Sequence, residues 1–436
     1  MNNKKQRIFK IKYYAHFDNK IHWSKVKNIV ITPEKVAKHG FYPFIHYTKK
    51  TIKFDSKEGR KPPKERGIFY SSHIDRYIYQ YYAYKLNYIY NIWAIKNGIN
   101  RCSIAYRNNL HKCNIHFAKE VFDFIRKHDQ VYIIIGDFKN FFDSLDHYYL
   151  KRRLCDLLNM NSLPQDYYAV FKSITRYSFF ELDSLLDINN LKYKELNKKE
   201  RVLDLKDFRK YKKKYLKKNE EDYGIPQGSS ISAVLSNIYM MIFDKEMNDL
   251  ITSNNGIYRR YSDDFIIAVP QCNKEKLYDL WKSIESAICS IKNLELQKEK
   301  TKVFEYKQNQ IRNCNNILFP YINNGKNIID YLGFSFDGKV ITIRDKTITK
   351  YYYRMYRKID TIVKSNFVTW KGNKIPKSTL YKKYSFYGVK ATKKHRGNFL
   401  TYVNRAMKVF GPGEAIDRCT KRHWGKLQKR LHVRKS

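Results

Sequence analysis

The sequence predicts an α+β protein built on an antiparallel sheet, and three observations carry that expectation. Val131-Tyr-Ile-Ile-Ile135 is a short β-branched run closed by Gly136 and Asp137, the pattern of a buried strand. Residues 257–261 and 265–269 are β-prone runs on either side of Ser262-Asp263-Asp264, which reads as a hairpin with two Asp at its tip. Helix-periodic segments lie between these runs, so the order is strand, helix, hairpin, helix, strand.

The elements follow along the chain. Up to about residue 125, short apolar runs alternate with basic ones. Gly59-Arg-Lys-Pro-Pro-Lys-Glu-Arg66 is expected to be a basic loop punctuated by Gly and Pro. Residues 74–93 read as a Tyr-rich helix. Ile231, Val234, Leu235, Ile238 and Ile242 fall on one helix face. Residues 277–291 form another helix, and 328–336 a strand containing Gly333. The Lys-rich stretch 191–221 is only weakly periodic. An insertion, an RNA-contacting element and a solvated helix all fit it. No internal repeat is visible.

Composition narrows the function classes. The chain has 436 residues, 86 Lys+Arg against 41 Asp+Glu, and a formal net charge of +45. With 43% hydrophobic and 16% aromatic residues it has material for a large core, which excludes wholesale disorder. No apolar run approaches the ~18 residues of a membrane span. The polar, basic start MNNKKQRIFKIKYY carries no signal-peptide block. The seven Cys form no CxxC pair, so neither a zinc ribbon nor a disulfide framework is expected, and a reducing cytoplasm fits. Such a charge calls for a polyanion: nucleic acid, anionic membrane or an acidic protein. The accompanying aromatics favour nucleic acid, because phosphate neutralisation and base stacking need those two residue types. Half of the charge, a net +23, lies in residues 339–436. There Lys350-Tyr-Tyr-Tyr-Arg-Met-Tyr-Arg-Lys358 mixes cations and aromatics in one helix-compatible stretch.

The chemistry rests on Asp137, at the end of one strand, and on Asp263 and Asp264 in the hairpin. If those elements neighbour each other in one sheet, the carboxylates meet at its edge. Clustered carboxylates repel, and divalent metal relieves them. Two metals ~3.5–4 Å apart are a standard clamp for in-line phosphoryl transfer. Taken alone, Tyr-Ser-Asp-Asp is equally an ordinary turn.

It does not stand alone. Gly136-Asp-Phe-Lys-Asn-Phe-Phe-Asp-Ser-Leu-Asp-His147, Tyr223-Gly-Ile-Pro-Gln-Gly-Ser-Ser-Ile-Ser-Ala-Val-Leu-Ser-Asn237, Tyr261-Ser-Asp-Asp264, Glu299-Lys-Thr-Lys302 and Tyr331-Leu-Gly-Phe334 occur in that order. In these blocks the chain resembles bacterial reverse transcriptases, the retron and group II intron kin, across nearly its whole length.

The resemblance implies roles for particular residues. Asp137 and Asp263 would be the main ligands of two Mg²⁺ ions, with Mn²⁺ a possible substitute. Asp264 and the Phe138 carbonyl would complete the set. Phe142 would be the steric gate that excludes a 2′-hydroxyl and so favours deoxynucleotides. Gln227 and Gly228 would line the nucleotide pocket. Lys64, Arg66 and Arg107 would hold the triphosphate. Lys300 would be the general acid toward pyrophosphate, with Lys298 and Lys302 as rivals. Tyr331, Leu332, Gly333 and Phe334 would grip the primer, and Arg354, Arg357 and Lys358 the duplex backbone.

The resemblance also implies a right-hand polymerase. Fingers would span 1–128, an antiparallel-sheet palm 129–337 with 160–222 serving the fingers or an insertion, and a basic helical thumb 338–436. An RNA template, a DNA product and dNTPs would be its partners, with no membrane. Neither an RNase H domain after the thumb nor an HNH endonuclease is expected. That points to a compact enzyme like the "unknown group" defence-associated reverse transcriptases, which use a structured noncoding RNA in antiphage defence. An RNA-dependent RNA polymerase, and a template-independent or protein-primed DNA polymerase of abortive-infection type, remain alternatives. An RNA-binding scaffold with a dead palm belongs to another class, which the intact Asp137, Asp263 and Asp264 disfavour.

Overall fold

The computed structural model describes residues 9–55, 59–390 and 397–432, with side chains left out at 52–61, 389 and 390. At its centre stands a five-stranded antiparallel sheet. Its order is Gln310–Asn313, Lys302–Lys307, Gln130–Asp137, Asp264–Pro270, Ile257–Tyr261. Both faces of the central strand are buried, which is why Val131–Ile135 reads as a continuous apolar run and not an alternating one. Tyr132 and Ile134 point to one side, with Phe265, Ile267 and Val269 of the neighbouring strand. Val131 and Ile133 point to the other, with Ile266 and Ala268.

The first face is covered by helices His73–Lys96, His147–Leu158, Ser232–Tyr239, Met241–Thr252 and Lys274–Cys289. The second is covered by helix Asn114–Arg126, helix Phe399–Phe410 and the small sheet Ile329–Tyr331, Phe334–Phe336, Ile341–Ile343. A third core joins Ala15, Phe17 and Ile45 to Phe180, Leu185 and Val202. It lies on a four-stranded sheet ordered Gly67–Tyr70, Phe44–Thr48, Ser178–Glu181, Lys217–Lys218. A fourth core, with Tyr352, Met355, Ile359, Leu380 and Leu427, holds the C-terminal helices together.

Several expectations are corrected. The loop expected at 59–66 is largely strand: Gly59–Lys64 pairs antiparallel with Thr51–Asp55 in a two-stranded ribbon. Pro62 and Pro63 are tolerated there because a ribbon has an open edge that needs no N–H donor. The helix face 231–242 is split at Met240 into two helices, which lets Tyr239, Met240 and Met241 all be buried. The strand expected over 328–336 is a hairpin, turned by Leu332 (φ 45°) and Gly333 (φ 93°). The Lys-rich 191–221 stretch holds helices Tyr193–Leu196 and Leu205–Tyr215, and the second buries no residue fully. Helices Asn114–Arg126 and Phe399–Phe410 share the core of the central sheet. Among the described residues no helix is long and apolar enough to cross a membrane.

Candidate active site

The sheet brings the three carboxylates together. Asp137 ends the central strand as the register partner of Asp264, which opens the next strand. Directly opposed residues on antiparallel strands have Cβ atoms ~4.5–5.5 Å apart. The Phe138 amide donates to the Asp263 carbonyl at 3.1 Å, tying the strand end to the hairpin turn. Just before Asp137, Gly136 faces Phe265, and a Cβ there would lie 2.3 Å from the Phe265 ring. Any larger residue would push the two strands apart under the acidic pair.

The turn is held from below by residues that sequence reading missed. Arg260 is fully buried and binds Asp244 with two hydrogen bonds of 2.7 Å. Its remaining nitrogen donates to the Ser262 carbonyl at 2.8 Å. Tyr258 donates its hydroxyl to the same Asp244 at 2.8 Å. Ser262 adopts φ 62°, a left-handed conformation that costs energy in a residue other than Gly. The buried guanidinium therefore fixes the carbonyl of a strained residue directly before Asp263. Nothing local marks this pairing: the strand carries Arg259 and Arg260 side by side, and the sequence does not say which of them is buried.

The electrostatics follow from crowding. Asp264 has solvent access, yet the protein surrounding it, then Asp263 and Asp137, push its carboxyl up to about 7. Lys300 and Arg344 pull the other way. Burial, and then Asp137, also raise the Asp263 carboxyl, against its own backbone amide, the Ser262 side chain and Arg66. Lys300 places its ammonium 2.9 Å from Asp137 Oδ2 and also bonds Gln297. Its rival Lys298 is engaged by Glu285 at 2.8 Å. Lys302 lies in the sheet opposite Ile135. Arg344, another residue missed from sequence, sits beside the grip hairpin. Its amide donates to the Gly333 carbonyl at 3.0 Å, and its side chain binds Asp330 at 3.0 Å.

A second group assembles around Gln227. Its carbonyl accepts from the Phe69 amide at 2.8 Å, and its amide group reaches Asp143 Oδ2 at 3.3 Å. Gly228 has φ 118°, and a Cβ would lie 2.4 Å from the Phe69 carbonyl, so only Gly lets this loop meet the strand Gly67–Tyr70. The Phe142 carbonyl accepts from the Ile225 amide at 2.9 Å, which sets the half-buried Phe142 ring beside this loop. Lys64 and Arg66 are exposed just before that strand, and Arg66 is near enough to act on Asp263.

The other expected residues lie as follows. Arg107 is not a free cation: it bonds Asn91, Asn100 and the Ser103 carbonyl and lies over the Tyr90 ring. These partners engage its guanidinium, and it is half-buried. Tyr331 and Phe334 are buried, and burial raises the Tyr331 hydroxyl. Asn114 donates to the Leu332 carbonyl at 2.9 Å and pins the hairpin tip to the core. Arg354, Arg357 and Lys358 are exposed on helix Asp345–Lys364, whose other side buries Tyr352, Met355, Ile359 and Ile362.

Among the described residues no three His, Cys, Asp or Glu side chains already stand at ligand geometry around one point. Lys300 holds one oxygen of Asp137. The donor chemistry nonetheless suits a hard divalent cation: the available groups are carboxylates and a backbone carbonyl, with no thiolate or imidazole. The raised carboxyls of Asp263 and Asp264 register negative charge that such a cation would neutralise.

The antiparallel sheet thus crowds three acidic residues at a strand end and an adjoining hairpin. The reverse transcriptase (RNA-dependent DNA polymerase) family matches residues 99–336, more than half of the chain. The chain belongs to this family. No curated protein matches the sequence. Among solved structures, the chain is similar to a truncated apo telomerase from Candida tropicalis, with TM-score 0.44 and 15% identity over 74% of this chain and 61% of that one. A Candida albicans telomerase in complex with a fragment of telomeric RNA gives TM-score 0.39 and 14% identity over 94% of this chain and 64% of that one. An insertion-loop deletion mutant of the RNA-dependent RNA polymerase of a human picobirnavirus gives 0.38 and 10%, over 72% of this chain and 55% of that one. The chain thus spans about three fifths of the telomerase chains it matches first.

Proposed function

We propose that the protein is an RNA-templated DNA polymerase that adds deoxynucleotides to a primer's 3′ end. The observation that carries this reading is the register pairing of Asp137 with Asp264, with Asp263 at the intervening turn, inside the segment that matches the family. Asp137, Asp263, Asp264 and the Phe138 carbonyl would hold divalent cations, Mg²⁺ above all. Bound there, such ions would activate the primer hydroxyl and stabilise the leaving pyrophosphate. Lys300, now on Asp137, would give a proton to that pyrophosphate. Phe142, beside the Gln227 loop, would exclude the sugar 2′-hydroxyl, and Gln227 and Gly228 would line the nucleotide pocket. Arg66, with Lys64 beside it, meets the phosphates.

In this reading the central sheet and its helices form a palm. The N-terminal region and the third core form fingers, and the fourth core forms a thumb whose Arg354, Arg357 and Lys358 follow the duplex backbone. We further propose a structured noncoding RNA as template, an antiphage role and a cytoplasmic setting. Their support is the likeness of residues 223–239 and 351–358 to the defence-associated group.

The deciding experiment is primer extension on an RNA template with Mg²⁺, comparing the unmodified protein with the Asp263→Ala/Asp264→Ala double variant. Template-dependent dNTP incorporation by the first and none by the second is expected. Incorporation by the double variant would overturn the site assignment, and preferential rNTP use by the unmodified protein would overturn the choice of product.

A further inference from the structure

The C-terminal region contains a small hydrogen-bonded turn that the polymerase reading does not use. Helix Asp345–Lys364 ends in Asn366 and Phe367, both left-handed (φ 49° and 60°). Phe367 is a bulky residue in a conformation that favours Gly, so the sharp exit from the helix is made at an energetic cost. The chain then forms a tight hairpin. Val368 bridges Lys374, the Thr369 amide donates to the Asn373 carbonyl at 2.8 Å, and the Gly372 amide donates to the Thr369 carbonyl at 2.9 Å. At the base, the Ile375 amide donates to the Phe367 carbonyl at 2.6 Å, and both side chains pack on the fourth core.

Trp370 sits at the tip and is 91% exposed. Trp23 and Trp281 are buried in the first core, and the half-exposed Trp424 packs on Tyr381 with ring centroids 5.4 Å apart. The companion of Trp370 is Lys371, whose ammonium lies 5.0 Å from the ring centroid. Lys364, Lys374 and Lys377 are exposed nearby, and residues 364–377 hold no acidic side chain. A scattered exposed aliphatic residue needs no explanation. An exposed indole on a hydrogen-bonded turn, with one lysine against its ring and further lysines in the adjoining sequence, has the two components of a single-strand platform: a π-face for a base and positive charge for its phosphates.

We propose that Trp370 stacks on an unpaired base of single-stranded RNA, with Lys371 and Lys374 on the adjoining phosphates. This rests on the reading of the protein as a nucleic-acid enzyme, but concerns a surface separate from the carboxylates. When a base arrives, Lys371 gives up the ring face and moves to a phosphate.

The test is a binding titration on the full chain, followed by intrinsic tryptophan emission. The probes are a short single-stranded oligoadenylate and a blunt RNA–DNA hybrid of equal length. Oligoadenylate is expected to quench a component of the emission that Trp370→Phe lacks. Trp370→Ala should weaken its binding by roughly 5- to 100-fold, with Trp370→Phe much closer to the unmodified protein. Lys371→Ala/Lys374→Ala should lower the slope of log affinity against log salt by roughly 1.4 units, about 0.7 for each phosphate contact on a single strand. Unchanged affinity in Trp370→Ala, or equal quenching by the blunt hybrid, would overturn the proposal. The side chain touches the core nowhere, so circular dichroism of the variants should match that of the unmodified protein. The same titration with Asp263→Ala/Asp264→Ala separates the two readings: stacking should persist there although synthesis is lost.

Discussion

Asp137 and Asp264 face each other across neighbouring antiparallel strands, and Lys300 is the cation that touches the first of them. The pairing follows from the register of the whole central sheet, so the charge cluster is built into the fold and not into a loop. Its cost is written in the Asp264 carboxyl, which is raised to about 7.

That shift predicts a pH dependence of stability without divalent cation. The folded chain holds a proton on Asp264 that the unfolded chain has already lost above its ordinary carboxylate value of ~3.9. A raised native pKa stabilises below the unfolded value, and this contribution is lost as pH climbs to the folded value. In chelator, the Asp264 contribution to the melting temperature, read as the difference from Asp264→Asn, should therefore fall between about pH 4 and pH 7, while buried His16, His73, His147 and His423, held low by burial, contribute in the opposite direction. Asp264→Asn lacks this contribution and should melt higher than the unmodified protein at pH 8. Superimposable pH–melting curves for the two would contradict the crowding argument.

Phe142 gives a prediction about sugar choice. If its ring excludes one hydroxyl, Phe142→Ala should gain ribonucleotide use. The dNTP-over-rNTP ratio of kcat/KM should drop by roughly 10- to 200-fold, the range that steric discrimination of one small group supplies. Steady-state incorporation with single nucleotides measures this, and an unchanged ratio would remove the gate assignment.

For Lys300 the expected signature lies in kcat. Proton transfer to a leaving group acts in the transition state, so Lys300→Met should lower kcat by roughly 100-fold or more and leave KM nearly unchanged. Lys298→Met should do little, because Lys298 is committed to Glu285. A loss confined to KM would make Lys300 a binding residue instead.

How much of this was legible beforehand depends on distance along the chain. The β-branched run 131–135, the hairpin with Asp263 and Asp264, and the helix 74–93 are local patterns, and the structure places elements at all three. The Gly59–Lys64 strand was hidden because consecutive Pro residues ordinarily argue against a strand. The partners of Arg107 were hidden because a basic residue looks alike whether it meets phosphate or the side chains of Asn91 and Asn100. The sharing of one core by helices 114–126 and 399–410 joins segments almost 300 residues apart, shown by Asn114 bonding Tyr402 at 3.0 Å. No periodicity reports such a contact.

The Arg260–Asp244 pair was equally invisible, and it yields the sharpest stability prediction. Both groups are fully buried, and Asp244 accepts from Arg260 and Tyr258. Arg260→Met leaves that carboxylate without its cation and should cost about 3–5 kcal/mol. Asp244→Leu combined with Arg260→Met removes both charges and should recover much of the loss, since an apolar pair of similar volume can replace a buried ion pair. Activity should not recover with it. The Ser262 carbonyl still lacks its donor in the double variant, so the turn that carries Asp263 is no longer fixed. Thermal melts and single-nucleotide incorporation on the three variants separate these outcomes. Full recovery of kcat in the double variant would show that the pair serves packing alone and that Arg260 does not position the turn.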